Sequence, residues 1–155
     1  MTPEHDDYLC KTYPKLFAQR NLPMSETCMC WGFACGDGWF NIIDKLCANI
    51  QHHIDWTVKQ RSWDTQWNEE HPDEKRKVTK EVPQVEVVQV KEKFGGLRFY
   101  YHGGDERIRG MVQLAESLSY TACEICGSTA KPNSSGYIQT LCETHRNKKD
   151  SYNEA

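Results

Sequence analysis

The sequence predicts an α+β fold: helices packed on a small antiparallel hairpin sheet, followed by a compact C-terminal Cys/His module. Three observations carry this. After Asp37, apolar residues recur at three- and four-residue spacing, the period of a helix with one buried face. Alternating residues flank Gly95-Gly96, the pattern of a β-hairpin. Near the end, Cys123-x2-Cys126 and Cys142-x2-His145 stand at matched spacing.

The chain has 155 residues, enough for one core with a small appended module. Hydrophobic residues make up 38%, and five Trp, seven Tyr and five Phe argue against disorder. A net charge of −3 counts against a general nucleic-acid binder, which is usually basic. No apolar run is long enough for a membrane helix. The acidic start, Met1 to Asp7, does not read as a signal peptide. A cytoplasmic protein is expected, with eight Cys as reduced thiols or metal ligands.

Thr2-Pro3-Glu4 is a helix start, with Thr2 as N-cap and Pro3 at the first helical position. Pro14 ends that helix, and Leu16 and Phe17 turn inward. Asp37 is expected to cap a helix running to about residue 60, with Trp39, Ile42, Ile43, Leu46, Cys47, Ile50 and Ile54 on its buried stripe. Residues 61–84, rich in charge and holding Pro72 and Pro83, read as an exposed polar excursion.

A hairpin follows from Val85 to His102, turning at Gly95-Gly96. That turn sets Phe94 opposite Leu97 and Val90 opposite Tyr101. Val88, Val90, Phe94, Leu97, Phe99 and Tyr101 then share the core face. Asp105 caps a second amphipathic helix with Ile108, Met111, Val112, Ala115 and Leu118 inward. The expected organisation is a body over residues 1–120, a module over 121–146 and a frayed tail over 147–155.

The pairs Cys123/Cys126 and Cys142/His145 suit two tight loops that present four soft or borderline donors at the corners of a tetrahedron. Zinc accepts that set, and the module is therefore zinc-ribbon-like. Gly127 follows the first pair, where such a loop needs positive φ. Four protein ligands fill the coordination shell, so the zinc is expected to be structural; Cys3His also suits iron. Cys28, Cys30 and Cys35 would need one of His5, His52, His53 or His71 to complete a second site, at irregular spacing, and free thiols are the plainer reading.

On the polar hairpin face, Lys91, Lys93, Arg98 and His102 surround Tyr100. Such a row fits phosphate, with a ring to stack a base. The plainer reading is a solvated face on which Lys guards a sheet edge. Gly36-Asp37-Gly38-Trp39 allows close backbone approach at a helix start. Its plainer reading is an N-cap followed by an anchoring Trp.

The chain resembles a family of small bacteriophage and prophage proteins. The resemblance rests on Cys35-Gly36-Asp37-Gly38-Trp39, on the run from Val90-Lys91-Glu92-Lys93-Phe94-Gly95-Gly96 through Leu97-Arg98-Phe99-Tyr100-Tyr101, and on Ala115-Glu116-Ser117-Leu118-Ser119. It continues through Cys123-Glu124-x-Cys126-Gly127 and Thr140-Leu141-Cys142-x-x-His145, covering roughly residues 30–146. It implies a phage-associated origin, a soluble α+β body and a C-terminal zinc knuckle. It implies no particular activity, only the expectation that a small accessory phage protein acts on host machinery or host defences.

Four functions follow from these readings. The first is a non-catalytic, anti-defence type of protein that binds a host protein, with Trp63 and Trp67 as contact residues. The second is a binder of a small phosphate-containing ligand, such as a signalling nucleotide, on the hairpin face. The third is a nucleic-acid-binding module. The last is a nuclease or phosphodiesterase using Asp37, Glu92, His102 and Asp105, whose spacing demands no such site.

Overall fold

The computed structural model describes residues 1–134 and 136–147. Its first helix, α1 (Pro3–Thr12), begins with Pro at the first turn and buries Leu9. A short strand, β1 (Phe33–Ala34), and a 3-10 turn (Asp37–Trp39) lead into α2 (Phe40–Glu70). The hairpin is β2 (Glu86–Lys93) and β3 (Gly96–His102), followed by α3 (Glu106–Ser119). Two short strands, β4 (Lys131–Pro132) and β5 (Thr140–Leu141), pair antiparallel in the module.

The helix α2 spans 31 residues, about 46 Å at 1.5 Å per residue. Its first half buries the expected stripe: Ile43, Leu46, Cys47, Ile50 and Ile54 are in the core and Ile42 is half-buried. Trp39 is fully buried just before it. Asp37 does not cap the helix; the cap position of α2 falls on Trp39, which makes no side-chain cap bond. The Asp37 carboxylate instead accepts from the Thr2 backbone N–H at 2.7 Å and pairs with His5 at 3.0 Å, tying α1 to the 3-10 turn. The Thr2 N–H and the His5 ring hold the Asp37 carboxyl below its ordinary value.

The helix does not stop near residue 60 but continues to Glu70. The chain then returns alongside it and is fastened to it. Asp64, itself buried, accepts from Thr79 N at 2.9 Å and Thr79 Oγ1 at 2.6 Å. Thr57 Oγ1 accepts from Val82 N at 3.1 Å. Trp67 is stacked on His71, with the Arg76 guanidinium 3.6 Å from its ring centre. The 61–84 stretch is thus a helical arm and its return, held by the polar bonds of Asp64 and Thr57 and, near its end, by Val82 in the core.

The sheet order is β1-β2-β3, with β1 parallel and β3 antiparallel to β2. The turn falls one residue earlier than the sequence suggests. Lys93 pairs with Gly96, so Phe94 and Gly95 are the central residues, with φ of 54° and 76°. Positive φ at both is what a two-residue type I′ turn requires. Val90 consequently faces Phe99 rather than Tyr101. Moving a turn by one residue moves each partner by two, so side chains keep their faces. Val90, Leu97 and Phe99 remain inside, while Phe94 is exposed at the tip. A bulge between Val87 and Gln89 places Val87 in the core and leaves Val88 half-buried.

The carboxylate of Asp105 caps α3 by accepting from Ile108 N at 3.0 Å. Ile108, Val112, Ala115 and Ser119 are buried, whereas Leu118 is exposed, against expectation. The inward face is rotated because α3 must serve the free edge of β3. Ser119 Oγ accepts from Leu97 N at 2.8 Å, and Glu116 Oε1 accepts from Phe99 N at 3.0 Å. Edge donors satisfied in this way cannot recruit another strand. Among the described residues no helix is long and apolar enough to cross a membrane.

Candidate metal centre

The residues after α3 form a tight loop because Gly127 takes φ of 75°, letting its N–H reach Cys123 O at 2.8 Å. Cys123 and Cys126 stand on this loop. A helical turn over residues 143–147 carries the second pair, with His145 N donating to Cys142 O at 3.1 Å. Glu124 N donates to Thr140 O at 3.0 Å, which sets the two loops face to face.

The donor atoms of Cys123, Cys126, Cys142 and His145 all lie within 4.8 Å of one another. Cys126 Sγ is 3.8 Å from Cys142 Sγ, and Cys123 Sγ is 3.5 Å from His145 Nδ1. A tetrahedral ion with metal–sulfur bonds of about 2.3 Å and metal–nitrogen bonds of about 2.0–2.1 Å needs edges of about 3.8 Å and 3.5 Å. Cys142 Sγ to His145 Nδ1, at 3.2 Å, is slightly shorter. The Ser128 hydroxyl and N–H draw the Cys126 thiol down to about 6. At Cys142 the His145 N–H also lowers the value, but burial and the neighbouring Cys123 and Cys126 sulfurs outweigh it and push the thiol up. A shared cation removes this opposition between neighbouring sulfurs.

This cluster is seated on the two glycine motifs of the body. The first loop lies against Gly36-Asp37-Gly38-Trp39. Gly38 N donates to Glu124 O at 2.8 Å, Gly36 N to Glu124 Oε1 at 3.0 Å, and Trp39 Nε1 to Ala122 O at 2.9 Å. A β-carbon on Gly38 would stand 2.5 Å from Gly127 N and 2.8 Å from Cys126 N, and closer still to Cys123 O. The second loop lies against the hairpin tip. Thr140 Oγ1 donates to Gly95 O at 2.5 Å, and Tyr137 OH donates to Glu92 Oε2 at 3.1 Å. Gly96 makes room for the Tyr120 ring, whose Cε1 would be 2.8 Å from a β-carbon there.

Sequence reasoning picked out the four residues that cluster here but not their seat. The signal was present, in glycines at positions where neither a turn nor a cap uses all of them. Among the described residues, the Cys3His cluster is the only group of three or more side chains close enough to share an ion. Cys28, Cys30 and Cys35 do not assemble a second one. Cys28 is exposed, Cys30 Sγ approaches Thr27 O at 3.2 Å, and Cys35 is buried.

The remaining candidates are dispersed. Lys91 and Arg98 are cross-strand partners, and Lys91 Nζ lies 5.5 Å from the centre of the Tyr100 ring. Lys93 lies over Phe94 at the tip, and His102 is paired with Glu86 at the far end. Trp63 is 46% exposed and meets Trp56 edge-on, whereas Trp67 is enclosed by His71 and Arg76. Asp37, Glu92 and Asp105 each have separate partners: Thr2 and His5, Gly95 N and Tyr137, and His53 and Ile108 N respectively.

Fold and site define a small α+β protein with a Cys3His cluster able to hold a structural metal. Comparison with known protein families, with curated proteins and with solved structures finds no match.

Proposed function

We propose that the protein is a zinc-stabilised accessory protein of phage type that acts by binding a host protein rather than by catalysis. Zinc is the ion of choice for three thiolates and one imidazole at tetrahedral separations. With all four positions taken by protein, the ion braces two loops against the body and offers no open site for a substrate. The phage origin rests on the resemblance of the glycine, hairpin and Cys/His motifs, and the host partner follows from that origin.

The observation that carries the binding reading is the exposed pair Trp56 and Trp63. They are 47% and 46% exposed on the outer side of α2, in edge contact with each other. Lys59 lies over Trp63, 4.8 Å from its ring centre. Large aromatic side chains kept in water are common anchors of protein interfaces. Trp67, the other contact expected from the sequence, has its ring faces occupied within the arm.

The test is affinity capture from host cells with the wild-type chain and with Trp56→Ala/Trp63→Ala. The expected result is a defined partner retained by the wild type and lost by a variant that keeps its metal and its melting temperature. Undiminished capture by the variant contradicts this surface.

A further inference from the structure

The outer face of the sheet carries groups that the metal centre and the Trp surface leave unused. The bulge at Val88 interrupts the ladder beside Tyr100, and bulges commonly re-aim side chains next to binding sites. The segment before β1 rises along this face and is fastened there, with Thr27 Oγ1 donating to Val88 O at 3.3 Å. Between segment and sheet lies an open cavity of about 450 Å³, lined by Gln19, Thr27, Val88, Gln89, Tyr100 and His102 among others. That volume falls within the ordinary range for small-molecule sites, about 300–1,000 Å³.

The cavity lining supplies a ring and amides, together with one carboxylate, Glu26, and the cations stand outside it. Tyr100 is 40% exposed and offers a ring. Gln19 and Gln89 offer amide donors and acceptors of the kind that read the edge of a planar heterocycle, whereas the Thr27 hydroxyl is used by Val88 O and Met29 N. Outside the cavity, on the Tyr100 side, stand two cations, Lys91 with its Nζ 5.5 Å from the ring centre and Arg98 opposite Lys91 on the neighbouring strand. Arg98 is held by its bonds to Tyr120 OH at 2.8 Å and Leu97 O at 2.7 Å. A guanidinium has five N–H donors, so these two bonds leave others for an anion.

We propose that this face binds a nucleotide, the base stacking on Tyr100 against the cavity and the phosphate meeting Lys91 and Arg98. Inorganic phosphate alone would leave the ring and the amides without a role. An uncharged ring would leave the two cations without one. The inference goes beyond the host-protein reading and does not depend on it.

The test is calorimetric titration of the zinc-loaded full chain with 5′-AMP, 5′-GMP, ribose 5-phosphate and a ten-nucleotide single strand. Saturable binding of at least one mononucleotide is expected, weakening as salt rises. Tyr100→Ala should lose at least about fivefold in affinity, since stacking one base is worth about 1–3 kcal/mol, while Tyr100→Phe should retain it. Lys91→Glu should weaken binding and flatten its salt dependence. A single strand that binds more tightly than a binding mononucleotide supports the site and makes a strand its source. Four results overturn the proposal: no saturable mononucleotide binding at millimolar concentration, equal affinity for ribose 5-phosphate, strand binding without mononucleotide binding, or unchanged affinity in Tyr100→Ala. Melting temperatures of the variants, expected to match the wild type, separate lost binding from lost folding.

Discussion

Replacing Gly38 with Ala tests how the metal module is held. The added methyl would be driven into the backbone of Cys123, Cys126 and Gly127. Backbone cannot rotate away as a flexible side chain can, so the loop must lift. Lifting it breaks the bonds from Gly38 N and Gly36 N to Glu124 and from Trp39 Nε1 to Ala122 O. At about 1 kcal/mol net each, the loss is about 3 kcal/mol. For a chain of this size that lowers the melting temperature by roughly 6–12 °C. Gly110→Ala is the matched control. A β-carbon there meets nothing within 4 Å, and in a helix interior the change should stabilise by about 0.5–1 kcal/mol. Thermal unfolding of the zinc-loaded proteins by circular dichroism is the assay, with chelator competition reporting metal affinity. A Gly38→Ala protein that melts within the error of the wild type would refute the seating of the module on this loop.

Two further perturbations probe acid dependence and the thiols. The Asp37 carboxyl is held below 3.8, first by the Thr2 N–H and then by His5. Its contribution to stability is therefore present above that value and is lost as pH falls below it through the lowered folded-state value. Asp37→Asn should be less stable than the wild type near neutrality, and the gap should narrow as the pH is taken down through the acid range; a gap independent of pH in denaturant unfolding would contradict this. Burial pushes the Cys35 thiol up to about 12 and Cys47 well above its ordinary value, and burial with Asp6 pushes Cys10 to about 12. Alkylation followed by peptide mass spectrometry should label Cys28 first and spare Cys10, Cys35 and Cys47. Chelation should add Cys123, Cys126 and Cys142; equal labelling of Cys126 with and without metal would count against the cluster.

Much of the fold could be read from local signals. The α2 stripe, the Asp105 cap, the hairpin and the four clustered Cys/His residues each declare themselves within a few residues, by period, turn chemistry or spacing. The misreadings occurred where distant contacts decide. Gly95-Gly96 looked like the two turn residues, but Gly96 is small because Tyr120 lies against it, and Phe94 takes the turn position instead. Asp37 looked like a cap, yet its acceptors are used by α1. Residues 61–70 looked too polar for a packed helix; buried Asp64 and the Thr79 bonds stabilise them, and apolar patterning does not reveal such contacts. Leu118 fitted the helical stripe, but the hydroxyl of Ser119 was needed at the β3 edge, and the helix turned accordingly.

The central claim is that Cys123, Cys126, Cys142 and His145 hold one zinc ion that fastens the C-terminal loops to the body. Native mass spectrometry of the gently purified chain, alongside Cys142→Ser, tests it most directly. The prediction is one zinc per wild-type chain, released together with a shift to an unfolded charge-state distribution when a chelator is added, and no retained zinc in the variant. A well-folded wild-type chain without metal, or a variant that keeps its zinc, would contradict it.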